Sequence, residues 1–450
     1  MTAIAVCVFA FAVTLWVRTR SRTMGLLSVL LFGYMYGILR ANLLATAGHF
    51  VFDSALLGLY IGELRQRLTP AQQIRENRLR DWIVALAMIP SLLLLLPKQD
   101  ALVQIVGFRS AVLFLPFILL GARLEREDFR KLAIGVAILN LFAFSFAAYE
   151  YVNGIESLYP KSPITSIIYQ STLLDYAFHR IPATFSSSAA YGGTMVFTIP
   201  LIGMAISGKY VKGPWYALCL TGLAAGTIGV FLSASRSTAA LAIVALVALF
   251  IENRSRPRAA LTFAGAVAFV GVLVVTQPRL QRFLSLQDTE FVSQRFAGSV
   301  NSDITDIVTR YPFGNGLGAG GTSLPYFLQN RVEGAISVEN EYARLILEQG
   351  VLGLTVWLGF IAWVLVPSHG DPRAPGKLGM RILAGAVFAI GFTGTGFLAS
   401  IPATCFLFLM MGLLFKERPE GSAPFHSDRT LARAVPRSRS RALTPHPPPG

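Results

Sequence analysis

Three places in the chain hold residues whose types and spacing suit chemistry: one acidic run and two isolated arginines. Glu339-Asn340-Glu341-Tyr342-Ala343-Arg344-Leu345-Ile346-Leu347-Glu348 sets ionisable side chains directly before an apolar stretch that continues through Gly350-Val351-Leu352-Gly353-Leu354. A carboxylate at the mouth of a membrane helix can accept a proton from a substrate hydroxyl, provided burial or a neighbouring acid opposes the helix dipole that lowers its pKa. Arg236, in Leu232-Ser233-Ala234-Ser235-Arg236-Ser237-Thr238, and Arg180, in His179-Arg180-Ile181-Pro182-Ala183-Thr184-Phe185, carry permanent charge and a rigid fork of donors that matches phosphate. Each also has a plainer account. Arg236 suits a snorkelling interfacial arginine, and Arg180 suits a loop arginine paired with a nearby acid. In the acidic run, Asn340 can cap a helix whose first turn favours acids, and Arg344 with Glu348 makes an i,i+4 pair.

The elements that must hold these residues are membrane helices. Of 450 residues, 54% are hydrophobic and only 14% charged, and the mean hydropathy is +0.56, which excludes an ordinary soluble globular chain. The net charge of +15 comes from short clusters between apolar runs, such as Arg18-Arg20-Arg22, Arg75-Arg78-Arg80, Arg123-Arg126-Arg130 and Arg254-Arg256-Arg258. That is the positive-inside pattern, and it argues against nucleic acid as a partner. Cys7, Cys219 and Cys405 each lie inside an apolar run without paired spacing, so they read as small core hydrophobes.

The sequence reads as an all-α polytopic membrane protein of about thirteen crossings, or twelve if one short run is re-entrant. They are Thr2–Val17, Met24–Leu44, Phe50–Gly62, Trp82–Leu96, Ala101–Leu120, Leu132–Tyr151, Tyr191–Ile206, Trp215–Leu232, Ser237–Ile251, Ala259–Thr276, Leu345–Val366, Ile382–Leu398 and Pro402–Phe415. Thr2–Val17 lacks a basic start and a small-residue cleavage site, so it reads as a retained span. Residues 1–151 form an N-terminal helical part. Residues 152–366 form a core with external loops 153–188 and 277–341, residues 367–415 carry the last helices, and residues 416–450 read as a disordered basic cytoplasmic tail. Phe283, Leu284, Phe291, Phe296, Ile304, Ile307 and Val308 in the second loop suggest short amphipathic helices on the outer surface. Parity places Arg180, Arg236 and the acidic run at the outer face.

Other features exclude alternatives. Gly316-Leu317-Gly318-Ala319-Gly320-Gly321 matches G-x-G-x-x-G, but it opens no βαβ unit, so it reads as a tight turn beside the site. His49, His179 and His369 lack metal-ligand spacing, and no Ser-His-Asp pattern is present. Arg40 and Arg109 interrupt apolar runs; lining an interior, pairing and snorkelling all remain open for them. Tyr191, Tyr326, Phe327 and Tyr342 are candidate sugar-stacking aromatics.

Three features occur in a recognisable order. They are Arg180-x-Pro182-x-Thr184-Phe185-Ser186, then Leu232-Ser233-x-Ser235-Arg236, then a long loop with Tyr311-Pro312-Phe313-Gly314-Asn315-Gly316-Leu317-Gly318 and Glu339-Asn340-Glu341-Tyr342 to Glu348-Gln349-Gly350-Val351-Leu352-Gly353-Leu354. Over about Arg180 to Val366 the chain resembles the O-antigen ligase and O-antigen polymerase (Wzy) superfamily of bacterial inner-membrane proteins. The resemblance implies a multi-pass GT-C-type glycosyltransferase of the inner (plasma) membrane with its active site facing the periplasm. It implies an undecaprenyl-diphosphate-linked glycan donor, a glycan acceptor, no cofactor or metal, and a chain-length regulator protein as a further partner. It implies that Arg180 and Arg236 clamp the donor diphosphate, with Asn340 and Tyr342 also at the substrate. The catalytic group would then be drawn from Glu339, Glu341 and Arg344. The ligase branch has a His-Asn pair where this chain has Glu339-Asn340, which favours a polymerase of lipid-linked repeat units. A ligase acting on a lipid or protein acceptor, and a transporter of lipid-linked sugars, remain alternatives.

Overall fold

In the computed structural model the described residues are 2–43, 46–64, 70–96, 98–170, 180–276, 304–321, 324–334, 340–366, 377–390 and 396–415, with single positions 290, 293, 336, 338, 392 and 394. Among them the regular elements are helices, and no strand occurs. The expected tail, His179, His369, Glu339, the larger part of loop 277–341 and four of its apolar positions (Phe283, Leu284, Phe291 and Phe296) lie outside the described residues.

In chain order the helices are α1 (Thr2–Arg20), α2 (Arg22–Leu43), α3 (Val51–Leu64), α4 (Pro70–Leu94), α5 (Ala101–Val112), α6 (Pro116–Arg123), α7 (Arg126–Asn153), α8 (Ser166–Gln170), α9 (Ser188–Ser207), α10 (Pro214–Leu232), α11 (Arg236–Asn253), α12 (Pro257–Thr276), α13 (Ile304–Arg310), α14 (Tyr326–Gln329), α15 (Glu341–Leu365), α16 (Lys377–Ala389) and α17 (Ala403–Leu414). A 3-10 turn, Thr46–Phe50, leads into α3, and another, Ile155–Ser157, follows α7.

Among the described residues, eight helical stretches are long and apolar enough to cross a bilayer: α1, α2, the α5–α6 pair, α7, α9, α10, α11 and α15. The chain is therefore a multi-pass membrane protein. Of the other five expected crossings, Trp82–Leu96 and Ala259–Thr276 fall largely within α4 and α12, which are not among these eight, and three are short. α3, α16 and α17 have 14, 13 and 12 residues, and at about 1.5 Å per residue they fall short of a hydrocarbon core of roughly 30 Å. The Ile382–Leu398 run stops being helical at Ala389, because Leu398 lies in a turn between α16 and α17.

α9 is the central post, with 94% of its apolar window buried. It packs on α7, α10, α11, α16 and α17. A buried polar junction fixes its register: Tyr34 OH donates to Asn140 Oδ1 at 2.7 Å, and Asn140 Nδ2 donates to Thr198 Oγ1 at 2.9 Å and to the Gly222 carbonyl at 3.2 Å. One asparagine thus ties α2, α7, α9 and α10 where a lipid environment would leave any unmatched amide costly.

At one end of the bundle the basic clusters are neutralised by acids distant in sequence. Glu63 of α3 receives Arg18 at 2.5 Å, Arg22 at 3.4 Å and Arg123 at 3.5 Å, while Glu76 of α4 receives Arg123 at 2.6 Å and Arg80 at 3.3 Å. This network staples α1, α2, α3, α4 and α6 together. Removing one partner of a buried pair costs about 3–5 kcal/mol. Glu63→Ala is therefore expected to melt well below wild type in a thermal unfolding assay of the detergent-solubilised protein. Glu127→Ala, whose pairing with Arg130 is exposed, is expected to leave the melting temperature unchanged.

Candidate functional site

The Arg180 segment is not a loose loop end. Ala183 has φ 50°, a left-handed conformation that costs an L-residue roughly 1–2 kcal/mol. Four elements hold it there. Its N–H donates to Glu150 Oε2 at 2.9 Å, and the Tyr159 hydroxyl lies 2.7 Å from the Ala183 carbonyl and 2.8 Å from the Phe185 carbonyl. The Thr184 carbonyl accepts the N–H of Gly37 and Ile38 from α2, at 3.0 and 3.3 Å. Phe185 stacks on Tyr191 with 5.4 Å between ring centres, and the Ser187 side chain caps α9 by accepting the Ala190 N–H.

The second arginine also stands close to a left-handed alanine. Ala234, φ 52°, sits in the turn between α10 and α11, and Arg236 is the first residue of α11. Ser233 Oγ donates to the Val230 carbonyl and Thr238 Oγ1 to the Ser235 carbonyl, which closes that turn. The two strained turns bring the guanidinium groups into electrostatic range of each other. Burial, followed by the Arg236 charge, pushes the Arg180 pKa below the usual arginine value. The expected acid partner does not appear: among the described residues Arg180 has no ion pair, and its Nε is buried without a hydrogen-bond partner. A partly desolvated Arg180 with no ion pair among the described residues, in electrostatic range of a second guanidinium, makes a site for an anion.

The acidic run folds as the start of α15. Asn340 is the cap, its side chain accepting the N–H of Tyr342 at 2.8 Å and of Ala343 at 3.4 Å. Glu341, Arg344 and Glu348 then lie on one buried face, at 0%, 3% and 0% exposure. Arg344 Nε donates to Glu341 Oε1 at 3.2 Å and Arg344 Nη1 to Glu348 Oε2 at 2.9 Å, so the expected i,i+4 pair is present together with an i,i+3 one. Glu341 Oε2 accepts the Gly396 N–H at 2.9 Å. The Tyr342 hydroxyl donates to the Phe388 carbonyl, and its ring packs on Phe392.

α15 breaks at Gly350, φ 74° and ψ −178°. The break is filled from outside the helix. Val351 N–H donates to the Pro312 carbonyl at 2.9 Å and Asn315 N–H to the Leu347 carbonyl at 2.6 Å, so the groups freed by the kink bond to the 311–315 loop. The glycine run then passes over the charged face: a Cβ on Gly320 would lie 2.7 Å from Arg344 Cγ and 3.0 Å from Glu348 Oε1. α13 packs Ile304, Ile307 and Val308 against Ala343, Ile346 and Leu347, as an amphipathic segment should.

No family model matches the chain, and no curated protein matches it.

The structure thus forms two groupings, Arg180 with Arg236, and Glu341 with Arg344 and Glu348. α9 runs beside both. The 233–238 turn packs over Gly192, and Phe197 packs on Phe397, next to the Gly396 that donates to Glu341. Five residues of helix between these contacts span about 7.5 Å. Of the aromatics, Tyr191 is closed inside the protein, Phe327 packs on His49, and the Tyr326 side chain lies outside the described residues. Arg109 is paired, its Nε 2.7 Å from Asp53 Oδ1, whereas Arg40 has no ion pair among the described residues and donates to the Ile164 carbonyl at 3.2 Å. Sequence reasoning missed Glu150, Tyr159 and Asp53. Glu150 and Asp53 carried a signal, since each is a lone acid inside an apolar run.

A methyl group at Gly350 meets backbone, the Pro312 carbonyl oxygen and the Phe313 carbonyl carbon both at 2.7 Å, whereas Gly321, φ 68°, has nothing within 4 Å. Gly321→Ala is expected to cost only the conformational strain of about 1–2 kcal/mol. Gly350→Ala adds a clash that neither chain can relieve and is expected to melt clearly lower; equal melting curves for the two variants would contradict the clasp.

Proposed function

We propose that this protein is a membrane glycosyltransferase that polymerises undecaprenyl-diphosphate-linked repeat units into an exopolysaccharide, capsule or O-antigen at the outer face of a bacterial inner membrane. The observation that carries the reading is the Arg180–Arg236 pair: two guanidinium groups held in range by strained turns, with no carboxylate paired to Arg180 among the described residues. A diphosphate supplies the missing negative charge, and it is also the leaving group of such a transfer. The arginines bind the donor diphosphate and stabilise the charge that develops as the anomeric carbon–oxygen bond breaks.

The acceptor hydroxyl needs a base. Glu341 has one oxygen on Arg344 and the other on the Gly396 N–H, fully buried, so its lone pairs are committed to holding the start of α15. We therefore assign proton abstraction to Glu339 and a positioning role to Glu341 and Arg344. A carboxylate base suits an inverting displacement, in which the acceptor oxygen attacks as the lipid diphosphate departs. The donor is a growing lipid-linked chain and the acceptor is the terminal sugar of another lipid-linked unit, with a chain-length regulator as a protein partner.

The test is the size distribution of surface polysaccharide and lipid-linked intermediates in a deletion strain complemented with variants at matched membrane levels. Arg236→Ala is expected to abolish long chains and accumulate single units on the lipid carrier. Arg236→Lys should also be poor, since an ammonium cannot reproduce a bidentate phosphate contact. Glu339→Gln should lose polymer by about 100-fold or more while remaining folded, whereas Glu341→Gln should lower the melting temperature first. Long lipid-linked chains that fail to reach a final acceptor would mark a ligase instead, and normal polymer from Arg236→Ala would remove the clamp.

A further inference from the structure

A second cationic point lies at the ends of α2 and the Thr46–Phe50 turn, remote in sequence from Arg180 and Arg236. Arg40 has no ion pair among the described residues; its Nη2 donates to the Ile164 carbonyl and its guanidinium lies 5.9 Å from the Tyr36 ring centre. Arg109 is matched by Asp53 at 2.7 Å. Both arginine charges act on His49, whose pKa burial, then Arg40, then Arg109, push down to about 3, so the imidazole is neutral at ordinary pH. Glu150, which acts with Arg40 on Tyr159, is turned to the Ala183 N–H, so among the described residues the two guanidinium groups here are paired by one carboxylate, Asp53, and Arg40 is left unbalanced.

Beside it runs an apolar groove of about 320 Å³ between α1 and α3, lined by Cys7, Val8 and Phe11 on one side and Phe50, Ser54 and Leu57 on the other. Val8 and Leu57 are 60% and 50% exposed, and Ile4 and Phe9 beside them are also exposed, so the groove opens on the lipid-facing side of the bundle. Head and groove share one short piece of chain. His49 and Asp53 belong to the charged cluster, and the residues that follow each of them, Phe50 and Ser54, line the groove, one step of about 100° around the helix. Cys7 on the groove wall hydrogen-bonds Ser54 and feels the Asp53 charge. Arg40 also acts on Tyr159, the residue whose hydroxyl holds the Arg180 turn through the Ala183 carbonyl.

We infer that the Arg40 cluster and the α1–α3 groove form a second lipid-phosphate site, which holds a single-chain isoprenoid phosphate with its head at Arg40 and its chain in the groove. The identity of the lipid rests on the polymerase reading, in which donor and acceptor are both carried on isoprenoid diphosphates. The site then belongs to the acceptor. The charge explains the head: a phosphate balances the surplus cation, and a guanidinium with one carbonyl contact keeps its other donors for it. The groove explains the chain, because an apolar channel open to the bilayer accepts a single isoprenoid tail without stripping water from polar groups.

The experiment measures equilibrium binding of radiolabelled undecaprenyl phosphate to the full-length protein in nanodiscs. Wild type is expected to bind two equivalents. Arg236→Ala, Arg40→Gln and the groove-filling Ser54→Phe are each expected to bind one, and Arg40→Gln with Arg236→Ala none. Ser54→Ala keeps two, and unchanged melting curves verify folding. Two equivalents bound by both Arg40→Gln and Ser54→Phe would overturn the second site. One equivalent in wild type, lost only with Arg236→Ala, would also overturn it while leaving the polymerase reading intact. Loss of one equivalent in Arg40→Gln with none lost in Arg236→Ala supports the site and refutes the donor clamp. Full displacement of the Arg40-dependent equivalent by inorganic phosphate at equal concentration would show a head-only anion site and overturn the role of the groove.

Discussion

Two like charges held together away from bulk water raise the energy of the folded state, and the turns that carry them raise it further. Arg180 and Arg236 each stand within three residues of an alanine in the left-handed region, a conformation retained only where surrounding contacts outweigh its cost. The contacts are substantial. α2 supplies two backbone donors, α7 a buried carboxylate, and Tyr159 a hydroxyl shared between two carbonyls. The Asn140 junction in turn fixes α2 and α7 against α9 and α10, so the register of the deepest helices is transmitted to the arginine turns.

The two ends of the bundle treat arginine in opposite ways. At the Glu63 and Glu76 end, each buried arginine meets a carboxylate, and the network serves to hold helices together. At the other end, Arg180 and Arg40 have no ion pair among the described residues, although Asp53, Glu150 and Glu341 are all present at buried positions. Those acids are directed elsewhere: Asp53 to Arg109, Glu150 to a backbone N–H, Glu341 to Arg344. Acid is not scarce at this end; its placement leaves particular cations unbalanced.

What the sequence made legible was local. The Asn340 cap and the Arg344–Glu348 pair follow from helical spacing alone, and both are present. The membrane character and the order of helices followed from apolar runs. Contacts that join distant parts were not legible. Nothing in the spacing links Glu150 to Ala183, Arg18 to Glu63, or Asp53 to Arg109, because each pairing is set by how helices pack and not by neighbours in the chain. The stop of α16 at Ala389 did carry a local signal, since Gly391, Thr393, Gly394, Thr395 and Gly396 interrupt the apolar run. Its tertiary partners were not legible: Gly396 turns its N–H to Glu341, and Thr404 its hydroxyl to the Phe397 carbonyl.

The break in α15 has a mechanical consequence. Because Val351 bonds to Pro312 and Asn315 to Leu347, the 311–315 segment replaces a missing turn of the helix instead of lying on it. Lys98 and Gln99 then fasten the same segment to the start of α5, by donating to the Gly314 and Asn315 carbonyls. Loop, helix and the α4–α5 corner therefore open together or not at all, and their amides belong to one cooperative unit of hydrogen exchange. Lifting this loop as a flap would strip the Val351 N–H and the Leu347 carbonyl of the partners that replace the broken helical bonds.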